Sequence, residues 1–156
     1  MAAVPEVENA LKIFVIAVDR VVAAAAGLDA PALNWTPAPD ASSLSALGLH
    51  VIGMTRENVL TTICRLDESH RVRAQEFAPG EETGDTLAAR WAALRPRVEE
   101  ALAALPAGDL DLPLVHHTWG EVPLREVLLR MVTHAYEHAG QAELTRQLLD
   151  AQRAAR

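Results

Sequence analysis

The sequence predicts an all-α protein, a four-helix bundle with long crossover connections, folded as a single domain over residues 1–156. Ala and Leu dominate a chain of 156 residues that is 50% hydrophobic, and its β-branched runs are short, which favours helices over strands. Four segments of about 20 residues or more repeat their apolar side chains with the helical period. The segments between them exceed the roughly 2–8 residues that connect helices in simple bundles. At least one connection is therefore expected to run the length of the bundle.

The first two predicted helices have recognisable start signals. The first begins near Pro5, a residue suited to an opening helical turn, and runs to about Ala26. A proline-rich loop follows, and Ser42 or Ser43 is expected to cap a second helix that runs to about Leu66. The apolar stripes of these helices are Leu11, Val15, Val18 and Val22 in the first, and Leu47, Val51, Met54 and either Asn58 or Val59 in the second.

Long connections also separate the two later helices. Residues 67–84 are polar and end in turn residues, and part of this segment is expected either to pair as a short strand or to cross the bundle. A third helix is predicted from Asp85, its expected cap, to about Leu105, and a fourth from about Val122 to about Ala151. Their apolar stripes contain Leu87, Trp91, Leu94, Val98 and Leu102 in the third, and Leu124, Leu128, Met131, either His134 or Ala135, His138, Ala142 and Leu149 in the fourth.

Charge and composition argue against several classes of function. The formal net charge is -7, from 21 acidic and 14 basic side chains, and an acidic chain repels the phosphates of nucleic acids. The longest apolar run, IFVIAV, is broken by Asp19 and Arg20 and is far shorter than the ~20 residues of a membrane-spanning helix. The N-terminal stretch lacks the basic and apolar regions of a signal peptide. With a single cysteine, Cys64, these features predict a cytoplasmic protein that binds neither nucleic acid nor membrane.

The stretch THAYEH, residues 133–138, carries the strongest functional signal. His134 and His138 are four residues apart, so they lie on one helical face and can coordinate one divalent ion. Both share the apolar stripe of Met131, where imidazoles without partners would be costly. The alternative is a pair of histidines that other side chains satisfy. Gln141 shares this face and is expected to orient a ligand or a bound water.

A third ligand is expected from another helix. His50 lies on the apolar side of the second predicted helix, where a lone histidine is usually a core residue with a hydrogen-bond partner. With His134 and His138 it would form a three-histidine site that has open coordination positions. Such a site is typical of a catalytic metal rather than a structural one.

The same stretch also matches the H-x-x-E-H motif of inverted zinc proteases, in which Glu137 would be the general base. Those proteases need a third protein ligand well downstream, and only 18 residues follow His138. Glu143 is five residues past His138 and points away from the His134 side of the helix. The protease interpretation is therefore rejected.

The remaining histidines and the cysteine receive lesser roles. His116 and His117 are expected at the surface or at the rim of a pocket, because adjacent residues do not converge easily on one ion. His70 lies in a polar connection and is expected to be solvated. Cys64 follows His50 by 14 residues, about 21 Å along a helix. It is therefore interpreted as a small core residue rather than as a nucleophile at the His50 site.

Two stretches resemble the DinB-like superfamily of metal-binding four-helix bundles, which includes mycothiol- and bacillithiol-dependent S-transferases. LNWTPAPDASSLSALGLHVIGMTRENVL is similar to the second-helix region, with a Trp-x-Pro loop, a Ser-rich helix start and an inward histidine. TWGEVPLREVLLRMVTHAYEHAGQAELTRQLL is similar to the last helix, in which a His-x-x-x-His-x-Gly-Gln run completes the site. The resemblance covers nearly the whole chain. It implies a metal, either zinc, nickel or iron, held by His50, His134 and His138.

The resemblance also implies an activity and an assembly. Some family members are transferases or isomerases that use a low-molecular-weight thiol such as mycothiol or bacillithiol, others have no assigned activity, and many are homodimers. The maleylpyruvate isomerase branch often has a glutamate at the position of His134, which argues against that reaction and leaves the metal unaffected. The expected function is a metal- and thiol-dependent S-transferase that acts on small electrophiles. Arg130 would face an anionic group of the cosubstrate, and Trp119 would line the pocket.

Other interpretations of the same residues stay open. The same ligands could activate a metal-bound water for hydrolysis, or hold a metal without catalysis in sequestration or a stress response. A helical interaction module would bind no metal at all. Arg130 can also be a solvated surface residue, and Trp119 can simply pack onto the bundle.

Overall fold

The computed structural model describes residues 4–67 and 69–155, and it confirms the predicted all-α bundle. The four long helical elements are α1 (Pro5–Ala25), α3 (Leu44–Thr55) with its continuation, α5 (Gly84–Ala103) and α6 (Leu124–Ala154). One-turn helices lie in two of the connections, α2 (Ala30–Leu33) and α4 (Arg73–Glu76). Within the described ranges, no helix is both long and apolar enough to cross a lipid bilayer.

Helix α1 packs against the other three long helices, α3, α5 and α6. Its predicted stripe faces the core: Val15 and Val18 are buried, and Leu11 and Val22 are half-buried against the same cluster. Burial of one such aliphatic side chain contributes about 1.5–3 kcal/mol. The apolar period along the chain therefore accounts for the packing of this helix.

The second predicted helix does not continue as an α-helix to Leu66. After α3 the chain forms a π-helix over Arg56–Ile63, whose wider turns are closed by bonds between residues five apart. One such bond runs from the Cys64 N–H to the Val59 carbonyl over 2.9 Å. The wider turn lets both Asn58 and Val59 lie in the interior, although an α-helical stripe was expected to hold only one of them.

Helix α5 begins one residue earlier than predicted because Thr83 caps it. The Thr83 hydroxyl accepts a hydrogen bond from the Thr86 N–H (3.2 Å), and the Thr86 hydroxyl accepts one from the Thr83 N–H (2.8 Å). This reciprocal pair is a capping box. Asp85, the expected cap, lies instead within the first turn.

A small antiparallel hairpin lies in a different connection from the one predicted to contain a strand. The described part of residues 67–84 contains the one-turn helix α4 and no strand, so the strand alternative for this segment is wrong. The hairpin pairs β1 (Pro113–His116) with β2 (Gly120–Pro123) instead. Because Val122 belongs to β2, helix α6 begins at Leu124.

His116 is a buried structural residue with 3% exposure, so its expected place at the surface or at a pocket rim is wrong. Its Nε2–H donates to Asn58 Oδ1 (3.0 Å), and its Nδ1 accepts hydrogen bonds from the N–H groups of Thr118 (3.1 Å) and Trp119 (3.3 Å). These bonds fix one neutral tautomer. The prediction missed this because both the hairpin and the π-helix that supplies Asn58 were unforeseen. His117 and His70 are exposed as expected.

We expect His116 to make the protein less stable in mild acid. Burial lowers the pKa of His116 to about 4, and repulsion from His117 and Arg130 adds to the effect. Between about pH 6.5 and pH 4 the unfolded chain binds a proton that the folded chain does not, so the free energy of unfolding falls as the pH falls. The free energy of unfolding should be measured in urea at pH 7 and pH 4.5 for the wild type and for His116→Gln. Its decrease between the two pH values should be about 2 kcal/mol smaller in the variant. Equal losses in the two proteins would contradict this assignment.

Candidate metal centre

Two packed helices bring three imidazoles together. His134 and His138 lie on successive turns of α6, and His50 lies in α3, which packs against α6. His50 is buried and the two histidines of α6 are half-buried, so the cluster lies between the core and the solvent. The Ser43 hydroxyl caps α3 by accepting a hydrogen bond from the Ala46 N–H (3.1 Å), which fixes the start of the helix that carries His50.

The Nε2 atoms of the three rings converge. His134 Nε2 lies 3.1 Å from both His50 Nε2 and His138 Nε2. One nitrogen from each residue lies within 4.8 Å of the other two. Two imidazole nitrogens at about 2.0–2.1 Å from one tetrahedral zinc ion are about 3.3 Å apart. The cluster could therefore hold a metal ion with only a small adjustment of the rings.

The opposite ring nitrogens are already engaged. His50 Nδ1 lies 3.0 Å from Glu76 Oε2, and His138 Nδ1 lies 2.7 Å from Gln141 Oε1. Both partners are acceptors, so in the neutral form of each ring the proton lies on Nδ1 and Nε2 presents a lone pair to His134. His134 Nε2 has at most one proton to donate, so at least one pair of nitrogens faces each other with no proton between them. A cation at the centre removes this conflict, and the donor set therefore fits a metal.

Glu76 links His50 to a buried ion pair. Arg71 Nε donates to Glu76 Oε1 (2.5 Å) and Arg71 Nη2 to Glu76 Oε2 (2.8 Å), and the two side chains are only 14% and 10% exposed. Arg71 Nη2 also lies 3.1 Å from His50 Nδ1. That nitrogen cannot both accept from Arg71 and donate to Glu76, and donation to the carboxylate satisfies all three groups. A carboxylate in this position orients the imidazole and makes it a stronger metal ligand.

The surroundings keep two of the imidazoles neutral near pH 7. Burial lowers the pKa of His134 to about 4, and repulsion from His138 and His50 contributes to this lowering. Burial also lowers the pKa of His138, although its hydrogen bond to Gln141 opposes the shift. For Glu76, burial by itself would raise the pKa, but hydrogen bonds from the neighbouring arginine and histidine hold it below its usual value. Neutral imidazoles beside an ionised carboxylate are the protonation states that metal binding requires.

Arg71 and Glu76 were not predicted as site residues because both lie in the connection interpreted as a polar linker. Arg71 precedes α4 and Glu76 is its last residue, and a helix of one turn has no period to detect. The local sequence does not distinguish Glu76 from the other acidic residues of that segment. His50 itself was the available signal, since a buried imidazole needs a hydrogen-bond acceptor.

Gly53 leaves the space that Glu76 occupies beside α3, which makes it a test of that carboxylate. A Cβ at position 53 would collide with Glu76 Oε1. We therefore expect Gly53→Ala to push the carboxylate off His50 and to weaken zinc affinity about 10–100-fold, as other losses of such outer hydrogen bonds do. Competition with a chromophoric chelator would measure the affinity.

Gly140 in α6 provides the matched control for that substitution. A Cβ there would meet no described atom within 4 Å, so Gly140→Ala should leave the zinc affinity at the wild-type value. Wild-type affinity in both variants would contradict the role assigned to Glu76.

The other residues singled out from the sequence make different contacts. Arg130 is exposed, its Nε donates to Glu126 Oε1 (2.8 Å), and its guanidinium lies 5.2 Å from the Trp119 ring centre. Trp119 is half-buried and packs against the core. Cys64 is half-buried, and burial raises the pKa of its thiol to about 11. The structure thus brings together His50, His134, His138 and Gln141, and the anion-binding role of Arg130 stays a prediction.

Comparison with known proteins gives a family and a fold. The model of the DinB superfamily matches residues 13–142, a span that contains all three histidines. A solved structure, described as the crystal structure of a conserved protein from Enterococcus faecalis, has a TM-score of 0.72 and 16% identity, over 92% of this chain and 96% of that one. At this identity the likeness shows the fold alone, and no curated protein matches the chain. Because the family model matches most of its length, the chain belongs to the DinB superfamily.

Proposed function

We propose that the protein is a divalent-metal-dependent S-transferase that joins a small thiol to a small electrophile, with His50, His134 and His138 as the metal ligands. The observation that carries the proposal is the convergence of three imidazole nitrogens at the boundary of core and solvent. Three neutral ligands leave the charge of a divalent ion uncompensated, and such an ion lowers the pKa of a thiol that coordinates it.

The residues around the histidines hold them in place. Gln141 and Glu76 accept the Nδ1 protons of His138 and His50, which directs the Nε2 lone pairs inward. Arg71 neutralises the charge of Glu76, so this carboxylate can orient its imidazole without contributing a full negative charge to the centre. The half-buried histidines of α6 leave one side of the centre open to small molecules.

Membership of the DinB superfamily supports the further parts of the proposal. We propose zinc, nickel or iron as the metal, since imidazole suits each of them, and mycothiol or bacillithiol as the thiol. We also propose that the protein is a homodimer and that it is located in the cytoplasm. These parts rest on the resemblance of the family motifs and on the chain having a single cysteine.

A conjugation assay tests the proposed reaction. Protein loaded with zinc, nickel or iron is incubated with mycothiol or bacillithiol and 1-chloro-2,4-dinitrobenzene, and the conjugate is measured by mass spectrometry. We expect metal-dependent conjugate formation that His138→Ala abolishes. Ester hydrolysis at the same rate with and without thiol would favour a hydrolase instead. A bound metal without either activity would favour a metal-binding protein that is not an enzyme.

A further inference from the structure

The α4 segment places three side chains in a row beside the metal centre. Glu76 points inward to His50, and the Phe77 ring lies 5.3 Å from the His50 ring, centre to centre. The Arg73 guanidinium lies 4.8 Å from the centre of the Phe77 ring on its face. Its positive charge is close enough to contribute to the lowered pKa of His138. A cation is therefore held at the rim of the centre, within about 10 Å of the His50 ring.

This cation differs from the other arginine of the segment. Arg71 is half-buried and is bonded through two nitrogens to Glu76. Arg73 is exposed and has no carboxylate within ion-pair distance among residues 4–67 and 69–155. Stacking on Phe77 restricts its side chain, so less conformational freedom is lost when it binds a ligand.

The stacked geometry leaves the binding edge of Arg73 available. The guanidinium carbon lies over the Phe77 ring, and the N–H groups of a guanidinium match the two oxygens of a carboxylate. The Phe77 ring contacts both the Arg73 guanidinium and the His50 ring, so it offers an apolar surface to a small unsaturated or aromatic ring bound at this rim.

We propose that Arg73 is a specificity-determining residue that binds a carboxylate group of the small electrophile while the reacting carbon lies at the three-histidine centre. The substrates are then small aromatic or unsaturated carboxylates. This inference rests on the proposed function for the reaction, but the binding of the carboxylate can be measured without turnover. It gives Arg73 the anion-binding position, whereas Arg130 is engaged by Glu126 and Trp119.

Two probes that differ by one charge test the inference: 4-chloro-3-nitrobenzoate and its methyl ester. Calorimetric titration of the zinc-loaded wild type should show binding of the carboxylate at least about tenfold tighter than that of the ester, as expected for a charge-assisted pair. Arg73→Gln should abolish this preference and leave both the ester affinity and the zinc content unchanged. Arg73→Lys should keep part of the preference.

Arg125→Gln is the charge-matched control, because Arg125 pairs with Glu6 and Asp111 at the start of α6. It should keep the full preference for the carboxylate. The inference is overturned if the wild type does not bind the carboxylate, if it binds both probes equally, or if Arg73→Gln keeps the preference. Loss of the preference in Arg130→Gln but not in Arg73→Gln would also overturn it.

Turnover with the same probes separates this inference from the proposed function. In the expected reaction the thiol sulfur bonds to the ring carbon that carries chlorine, chloride leaves with the bonding electron pair, and the thiol proton passes to the buffer. Arg73→Gln should raise KM for the carboxylate and leave kcat for the ester unchanged. Carboxylate binding through Arg73 without any conjugate would refute the transferase and keep the binding site. Conjugation at the same rate in the wild type and in Arg73→Gln would support the transferase and refute the carboxylate-binding site.

Discussion

His134→Ala should weaken zinc binding by more than about 100-fold, as large an effect as that expected for loss of any other histidine of the cluster. Loss of a hydrogen bond that merely orients a ligand typically lowers metal affinity about 10–100-fold, and His134 is itself a proposed ligand. Its Nε2 is the atom that lies 3.1 Å from both of the other two. Without this imidazole, only two histidines remain to bind the ion, His50 on α3 and His138 on α6.

Chelator competition measures this loss, and thermal unfolding reports it a second way. Zinc at about 100 times its Kd should stabilise the wild type by about 2.7 kcal/mol, and a 100-fold weaker variant should lose most of that gain. His117→Ala is the control because His117 is an exposed histidine in the hairpin. A similar zinc affinity in His134→Ala and His117→Ala would contradict the three-histidine site.

Glu76→Gln should both destabilise the fold and weaken the metal site. The change leaves the charge of Arg71, which is 14% exposed, without its carboxylate, and the loss of one partner from a buried pair costs about 3 kcal/mol. The amide also orients His50 less well than the carboxylate, so zinc affinity should fall about 10–100-fold. Urea unfolding of the apoprotein at pH 7 and chelator competition measure the two effects separately.

Glu82→Gln provides the matched control for that change. Glu82 also pairs with an arginine, Arg90, but the Arg90 side chain is 56% exposed, and such a pair is worth about 1 kcal/mol or less. Its loss should leave the zinc affinity unchanged. If the two glutamate variants had equal stability and equal zinc affinity, the Arg71–Glu76 pair would have no special role.

The convergence of the histidines could be predicted from the sequence because helical geometry determines it. A spacing of four residues places His134 and His138 on one face whatever the rest of the chain does. His50 lies on an apolar stripe, and a bundle buries such stripes against each other. Two regular elements were therefore sufficient to place three side chains together.

The support behind the histidines could not be predicted, because it depends on irregular structure. Arg71 and Glu76 are brought to His50 by a one-turn helix between two loops, where tertiary contacts rather than periodicity decide the conformation. The partner of His116 depends on the π-helix, which moves Asn58 into the interior. Neither the π-helix nor the short hairpin has a strong local pattern, so the sequence predicted the three histidines of the cluster but not the residues that orient them.

Metal content is the most direct test of the central claim that His50, His134 and His138 form a metal centre. Tag-free protein should be purified, loaded with zinc or nickel, dialysed and measured by elemental analysis beside His138→Ala. We expect about one ion per chain in the wild type and loss of that ion in the variant. Absence of metal from the wild type after loading, or equal metal content in the two proteins, would contradict the claim.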